Sequence, residues 1–168
     1  GPGGSAFIYV APRHAATTRP ALSGWLGHEA PFAFDPDYRP GAGIERMRVG
    51  TPPVLQLAAL EAALDVWDTV DLDDLRAASL ALTDQFIAGV EAACPSLTLA
   101  TPRNHAQRGS QVSFRHPQGY AIMQALIARG VVGDFRAPDI LRFGFTPLFI
   151  DKGDVAAAIA ILAEVMAL

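Results

Sequence analysis

Apolar positions recur at helical spacing in two adjacent segments near the middle of the chain. In "TPPVLQLAALEAALDVWDTV", residues 51–70, leucines and a tryptophan three or four residues apart fall on one face, and prolines lie in the first turn. The following segment, "DLDDLRAASLALTDQFIAGVEAAC", residues 71–94, begins with three aspartates, which the helix dipole favours at an N-terminus. The sequence therefore predicts two consecutive helices.

After Pro95 the pattern changes to short alternating segments. "LTLATP" and "SQVSFRH" are typical of half-buried strands, and "GYAIMQALIARG" of a helix that Gly130 ends. "VVGDFR" and "LRFGFTPLF" predict two more strands joined by "APDI", and "DVAAAIAILAEVMAL" predicts a last helix with Asp151 or Gly153 near its cap. The order β-β-α-β-β-α predicts an α+β small domain, an antiparallel sheet with helices on one face.

The first third of the chain carries little periodicity. "SAFIYVA", residues 5–11, predicts a buried strand that Pro12 ends, and residues 13–52 hold many prolines and glycines. A loop of this length is usually functional or forms an interface. We therefore divide the chain into residues 1–52, a connecting helix region at 53–76, and a small domain at 77–168.

Composition excludes several classes of function. A net charge of −4 and the absence of a basic stripe argue against nucleic-acid binding, and no apolar run is long enough for a membrane span. A single cysteine, Cys94, permits no internal disulfide and indicates a reducing, cytoplasmic compartment. The four scattered histidines give no metal-binding pattern. Because 51% of the residues are hydrophobic and only 18% charged, we expect a buried interface in addition to a core.

Arg142 is the first candidate binding residue, because it interrupts the apolar run "ILRFGFTPLF". A guanidinium in such a setting normally has a defined anionic partner. Strand alternation places Arg142 and Gly144 on the same face, where the glycine leaves room for a ligand. Arginine binds a planar carboxylate through two parallel hydrogen bonds. The alternative is a structural salt bridge to Asp134 or Asp139.

Three further residues stand in unusual settings. Trp25 lies near two glycines in "SGWLGH", which suits a ligand contact or an interface aromatic equally. Thr51 in "GTPP" places a hydroxyl at a helix start, where phosphate binds, although the cap preference alone favours a plain N-cap. Lys152 is the only lysine, and its flanking aspartates indicate an exposed residue rather than a Schiff-base nucleophile.

These motifs together resemble the C-terminal part of kynureninase. The resemblance rests on "GPGG-AFIYV", "GWLGH--PF-F", "GI-R---GTPP", "RGSQVSF" and "RGVVGDFR-P--LRFGFTPL", which occur in the family's order over essentially the whole chain. Kynureninases are fold type I enzymes, similar to aspartate aminotransferase, and use pyridoxal 5'-phosphate. The resemblance thus implies the C-terminal part of a pyridoxal-phosphate-dependent transferase-like fold, with residues 1–52 as a remnant of the large domain.

The resemblance also implies roles for single residues. Trp25 would contact the cofactor phosphate, and Thr51 would reach the phosphate or the substrate, commonly across a dimer interface. Arg142 would bind the α-carboxylate of the substrate, L-kynurenine, and Gly50 would contact the same substrate. Leu26 stands where family members often have an aromatic residue, so the contact with the substrate ring differs here.

The resemblance further implies that the Schiff-base lysine and the residues that contact the pyridine ring precede residue 1. No catalytic residue is therefore predicted within the chain, and the fragment alone is expected to be inactive. The complete enzyme would be a cytoplasmic homodimeric hydrolase that cleaves a C–C bond of L-kynurenine or 3-hydroxykynurenine in tryptophan catabolism and NAD biosynthesis. The alternatives are another fold type I enzyme, such as an aminotransferase or desulfurase, and a stand-alone, non-catalytic module.

Overall fold

The computed structural model describes residues 7–168. By their contacts the residues divide into two compact units, Gly1–Thr69 and Val70–Leu168. Each unit is described by itself below. The three-part division drawn from the sequence stays a prediction.

The second unit is an antiparallel sheet with three helices. Its elements in chain order are α3 (Leu72–Ala93), β1 (Thr98–Leu99), β2 (Gln111–Arg115), α4 (Gly119–Ile127), β3 (Asp134–Arg136), β4 (Ile140–Gly144) and α5 (Lys152–Met166). The strands are ordered β1-β2-β4-β3, and each neighbouring pair is antiparallel. The predicted β-β-α-β-β-α order is confirmed, with helix α3 preceding it.

The register of β2 and β4 decides which side chains enter the core. Val112 lies opposite Phe143, and Phe114 lies opposite Leu141, so these four side chains share one face. All four are buried, in one cluster with residues of α3, α4 and α5. The other face of the sheet carries the alternate residues, including Arg142.

Phe86 of α3 is the central residue of this core. Its ring lies 4.9 Å from that of Phe143, 5.1 Å from that of Phe145 and 6.1 Å from that of Phe114, measured between centroids. Tilted and edge-to-face aromatic pairs of this kind add about 0.5–1.5 kcal/mol each to the burial of their area. The long helix is thereby held against both central strands.

Polar residues fix the ends of these helices where the sequence predicts them. The Asp71 carboxylate accepts hydrogen bonds from the backbone N–H groups of Asp73 and Asp74, which caps α3. At the start of α5, Asp151 and Asp154 form a reciprocal capping box. Beyond α4, the N–H of Gly130 donates to the Ile127 carbonyl, and Gly130 has φ +87°. This left-handed residue ends the helix, as predicted.

The first unit consists mainly of loops and short helical turns. Within residues 7–69 it contains α1 (Pro12–Ala15), α2 (Val54–Leu64) and four 3₁₀ turns at Trp25–Gly27, Pro31–Ala33, Gly43–Met47 and Asp65–Trp67. None of the residues of Val54–Leu64 is buried. The predicted helix exists, but its leucine face lies largely at the surface of this unit.

Two sequence-based expectations in the first unit are wrong. Residues 7–11 of the predicted strand have no strand structure, and residues 5 and 6 lie outside the described residues. A strand needs a paired neighbour, and the named strands of the described residues all fall between 98 and 144. Thr51 is also not the N-cap of α2, because Pro53 holds that position without any side-chain cap.

A buried arginine attaches the loop before β2 to α3. The Arg108 side chain is only 1% exposed, and its guanidinium donates to the carboxylate of Asp84, which also binds His105 Nε2 at 2.9 Å. Burial alone would raise the pKa of Asp84, but hydrogen bonds from Arg108 and His105 outweigh it and lower that pKa. Arg76 of α3 donates to the carbonyls of His105 and Arg108, both at 2.6 Å.

The Asp84–Arg108 pair predicts a pH-dependent loss of stability. Because the pKa of Asp84 is lower in the folded state, its stabilisation is complete above the unfolded pKa, about 3.9, and disappears as the pH falls through the folded pKa. Asp84→Asn should cost about 2 kcal/mol at pH 7, because it leaves a buried guanidinium without its anion. Urea unfolding of the wild type and of Asp84→Asn should therefore show a smaller difference in the free energy of unfolding at pH 3 than at pH 7.

Glu91→Gln is the matched control for Asp84→Asn, because Glu91 lies on the same helix and pairs with the exposed Arg103 of the same loop. Exposed pairs contribute little, so its effect at pH 7 should be much smaller. Equal losses in the two variants would contradict a specific role for the pair that Asp84 forms with the buried Arg108.

Gly130 predicts a second stability effect. A Cβ at Gly130 would meet nothing within 4 Å, but its positive φ makes any L side chain strained. Gly130→Ala should therefore destabilise the protein by about 1 kcal/mol. Gly109→Ala is the control, since a Cβ there is equally free of contacts and no positive φ is required. Chemical denaturation that ranks the two variants equally would exclude the conformational explanation.

Candidate functional site

Two groups of candidate residues occur, one in each unit. The Trp25 site comprises Trp25, Gly50 and Thr51. The Arg142 site comprises Arg142, Asp134, Ser113 and Gly144. No group of three or more His, Cys, Asp or Glu side chains suited to a metal ion occurs within residues 7–168.

The Trp25 site is built on a close crossing of two backbone segments. A Cβ placed on Gly24 would lie 1.6 Å from the Val49 carbonyl oxygen, and one on Gly27 would lie 2.6 Å from that of Arg48. Only glycine permits this approach. The crossing brings the indole of Trp25 beside Gly50, where a Cβ would lie 3.8 Å from Trp25 Nε1.

His28 and Tyr38 stabilise the loop that follows Trp25. The buried His28 ring accepts a hydrogen bond from the Ala30 N–H through Nδ1 at 2.9 Å. In the neutral ring Nε2 therefore carries the proton, and it donates to the Asp37 carbonyl at 3.1 Å. The Tyr38 hydroxyl donates to the Gly27 carbonyl at 3.0 Å. These side chains are committed to the loop's own backbone, so we assign them a structural role.

Donor groups at the Trp25 site suit an anion. Trp25 is 47% exposed, and within residues 7–168 neither its Nε1 nor the Thr51 hydroxyl has a protein hydrogen-bond partner. An indole N–H can only donate, and a hydroxyl can do so as well. The phosphate of a cofactor accepts such bonds, so the residues present fit this group. A neighbouring cavity of about 400 Å³ is lined by Trp25, Phe34 and Tyr38 among others.

The Arg142 site lies on the face of the sheet opposite the helices. Arg142 is opposite Ser113 on β2 and Asp134 on β3, and Gly144 follows two residues along on the same face. A Cβ at Gly144 would meet nothing within 4 Å, so that position is open. The structure therefore confirms the predicted orientation of Arg142 and Gly144.

Asp134 is the protein partner of Arg142. Arg142 Nε donates to Asp134 Oδ1 at 2.7 Å, and Nη2 donates to Oδ2 at 2.5 Å. These hydrogen bonds lower the pKa of Asp134 and raise the pKa of Arg142, so both groups are charged at neutral pH. The salt bridge that the sequence offered as an alternative is thus present, with Asp134, while Asp139 pairs with Arg115.

Lys152 has none of the properties of a Schiff-base nucleophile. It is the exposed first residue of α5, and its carbonyl accepts a hydrogen bond from Gln85 Nε2 at 2.9 Å. Cys94 is buried, and burial raises the pKa of its thiol. Neither side chain is a nucleophile in this structure.

Sequence reasoning missed the two polar neighbours of Arg142 on β2. Gln111 Nε2 donates to Ser113 Oγ at 3.1 Å, and Ser113 lies directly opposite Arg142. The alternation of "SQVSF" places Gln111 and Ser113 on one face, but the sequence alone does not give the register that aligns Ser113 with Arg142.

Solved structures with the same fold define the class of the chain. A cysteine desulfurase from Thermococcus onnurineus NA1 superposes with a TM-score of 0.79 at 17% identity, covering 95% of this chain and 42% of that one. A lysine-to-alanine mutant of the cystine C–S lyase C-DES, solved with glycine covalently linked to its pyridoxal-phosphate cofactor, gives a TM-score of 0.77 at 23% identity, covering 93% of this chain and 40% of that one. The chain therefore has the fold of the C-terminal part of pyridoxal-phosphate-dependent, aminotransferase-like enzymes.

Sequence relatives identify the family within this class. The kynureninase C-terminal domain model matches residues 75–162. The kynureninase of Deinococcus radiodurans is 54% identical over 168 residues, which are 99% of this chain and 41% of the relative. That of Pseudomonas fluorescens is 52% identical over 99% of this chain and 40% of its own length. The chain belongs to the kynureninase family and spans about two fifths of the length of these relatives. The resemblance drawn from the motifs is thereby confirmed.

The glycine crossing at the Trp25 site predicts a local effect. Gly24→Ala would drive a Cβ into the Val49 carbonyl and force the two segments apart. We expect tryptic cleavage after Arg46 and Arg48 to accelerate by about ten-fold, because these bonds lie in the displaced segment. Gly50→Ala is the control, since its Cβ would make only ordinary contact with Trp25. Mass spectrometry monitors the cleavage. Equal cleavage rates in Gly24→Ala and Gly50→Ala would contradict a tight crossing.

Proposed function

We propose that this chain supplies the substrate-carboxylate site and part of the phosphate site of a pyridoxal-phosphate-dependent kynureninase. The complete enzyme would hydrolyse the Cβ–Cγ bond of L-kynurenine or 3-hydroxykynurenine, giving anthranilate or 3-hydroxyanthranilate and L-alanine. It would act as a cytoplasmic homodimer in tryptophan catabolism and NAD biosynthesis. Membership of the kynureninase family supports this proposal.

The observation that carries the proposal is the position of Arg142 on the open face of the sheet. Its side chain is 30% exposed, and an open glycine position follows on the same face. A guanidinium binds a carboxylate through two parallel hydrogen bonds and orients it, which a flexible ammonium does less well. Arg142 would thus bind the α-carboxylate and fix the direction of the rest of the substrate.

The Trp25 site would contribute to cofactor binding. The Trp25 Nε1 and the Thr51 hydroxyl would donate hydrogen bonds to the phosphate, and Gly50 would allow substrate to approach. When bound, pyridoxal phosphate withdraws electrons from the substrate's α-carbon, which is the chemistry that the side chains of this chain do not supply. The residues of this chain would bind and orient, and the chain alone is expected to be inactive.

A desulfurase-like function has weaker support. The similarity to cysteine desulfurases lies below 25% identity and shows the fold only. A cysteine nucleophile would need an accessible thiolate, whereas Cys94, the single cysteine, is buried with a raised thiol pKa.

A chimaera tests the proposed function. This chain replaces the matching segment of the Deinococcus radiodurans kynureninase, and anthranilate release from L-kynurenine is followed by fluorescence. We expect the chimaera to be active and the 168-residue chain alone to be inactive. Arg142→Lys should lower kcat/KM by about 100-fold, because lysine lacks the planar pair of donors.

Arg115→Lys is the matched control, because Arg115 lies on the same face of the sheet and pairs with Asp139 instead. It should keep kcat/KM within about two-fold, as expected for an exposed surface pair. A folded, cofactor-loaded chimaera without activity would contradict the proposal. So would equal effects of the two lysine substitutions.

A further inference from the structure

Arg142 uses only one edge of its guanidinium for Asp134. A guanidinium offers two edges with parallel donors, one formed by Nε and Nη2 and the other by Nη1 and Nη2. The contacts at 2.7 Å and 2.5 Å involve Nε and Nη2 alone. Among the described residues, Nη1 has no hydrogen-bond partner, so the second edge remains available.

Fixing the first edge restricts the direction of the second. An arginine side chain has several rotatable bonds and loses conformational entropy when it binds a ligand. Two hydrogen bonds to Asp134 hold the guanidinium plane before any ligand arrives, so less entropy is lost on binding. Asp134 itself lies on β3, paired directly with Arg142 in the sheet, which is a rigid support.

The surrounding charges explain how a second anion could still be attracted. Asp134 alone would neutralise Arg142, but Arg136 Nε also lies 3.5 Å from Asp134 Oδ1. The three side chains therefore carry a net charge of +1, so a net positive charge remains for a carboxylate. The open position at Gly144 leaves space on the same face of the sheet as Arg142.

We propose that Asp134 is a positioning residue for the substrate's α-carboxylate, holding Arg142 by its Nε–Nη2 edge so that the Nη1–Nη2 edge binds this carboxylate. The inference rests on the proposed role of Arg142. Asp134 itself does not touch the substrate. It acts through the direction of the guanidinium.

Neutralising Asp134 has two opposite effects on the affinity for an anion, one through charge and one through geometry. Removing a negative charge beside Arg142 raises the local positive potential, which by charge alone strengthens the binding of an anion. Removing the support frees the guanidinium to rotate, which weakens binding. Asp134→Asn keeps the size of the side chain and removes the charge, so the sign of its effect distinguishes a positioning residue from a competing anion.

The experiment measures the binding of L-kynurenine to the ¹⁵N-labelled 168-residue chain by NMR titration. We expect Asp134→Asn to raise Kd by about ten-fold, since misplaced binding groups lose affinity steeply. Asp139→Asn is the matched control, because it removes the same charge from the Arg115 pair of the same sheet. It should change Kd by less than about two-fold. Asp134→Asn that binds as tightly as Asp139→Asn, or more tightly, would overturn the inference.

The wild-type chain gives a second measurement that does not depend on a variant's folding. At saturating L-kynurenine the chemical shift of the Arg142 Nε–H should not change, and its exchange with solvent should stay slow, because Asp134 still accepts that hydrogen bond. A shift that follows ligand occupancy would mean that the ligand displaces Asp134, and would also overturn the inference.

The same titration separates this inference from the proposed function. Arg142→Gln should abolish measurable binding. Absence of binding by the wild-type chain, or an unchanged Kd in Arg142→Gln, would overturn the role of Arg142 itself and the inference with it. Loss in Arg142→Gln without loss in Asp134→Asn would overturn only the role of Asp134.

Discussion

The burial of one face of the sheet against Phe86 and its neighbours is the constraint on which the second unit depends. The Phe86 ring contacts both central strands, so Phe114 and Phe143 are fixed on the helix side. Because side chains alternate along a strand, Arg142 then lies on the other face, and no additional interaction is needed to orient it. The position of the candidate carboxylate site is a consequence of how the core is packed.

Much of the second unit was predictable from the sequence because its signals are local. Alternation within a strand, the aspartates at 71 and 151 and the glycine at 130 each act within a few residues, and the structure has them in their expected roles. The choice between Asp134 and Asp139 as partner of Arg142 was not predictable. It depends on the pairing of β3 with β4, which connects residues through space.

The first unit was less predictable for the same physical reason. The crossing at Gly24 is a contact with Val49, 25 residues away. The sequence alone does not show which distant residue a glycine contacts. Thr51 matched the residue preference of an N-cap, yet the prolines after it moved the start of the helix to Val54. The isolated apolar segment at 7–11 lacks a paired strand, which no local pattern reveals. The roles of Trp25, Gly50 and Thr51 stay predictions from family resemblance.

The side chains on the open face of the sheet are separate from those that form the hydrophobic core. Gln111, Ser113 and Arg136 point away from the core, and their replacement leaves the aromatic packing around Phe86 intact. Substitutions at these positions can therefore change the polarity and charge of this face while the domain continues to fold. The chemistry of that face can diverge between relatives by single exchanges, without compensating changes in the interior.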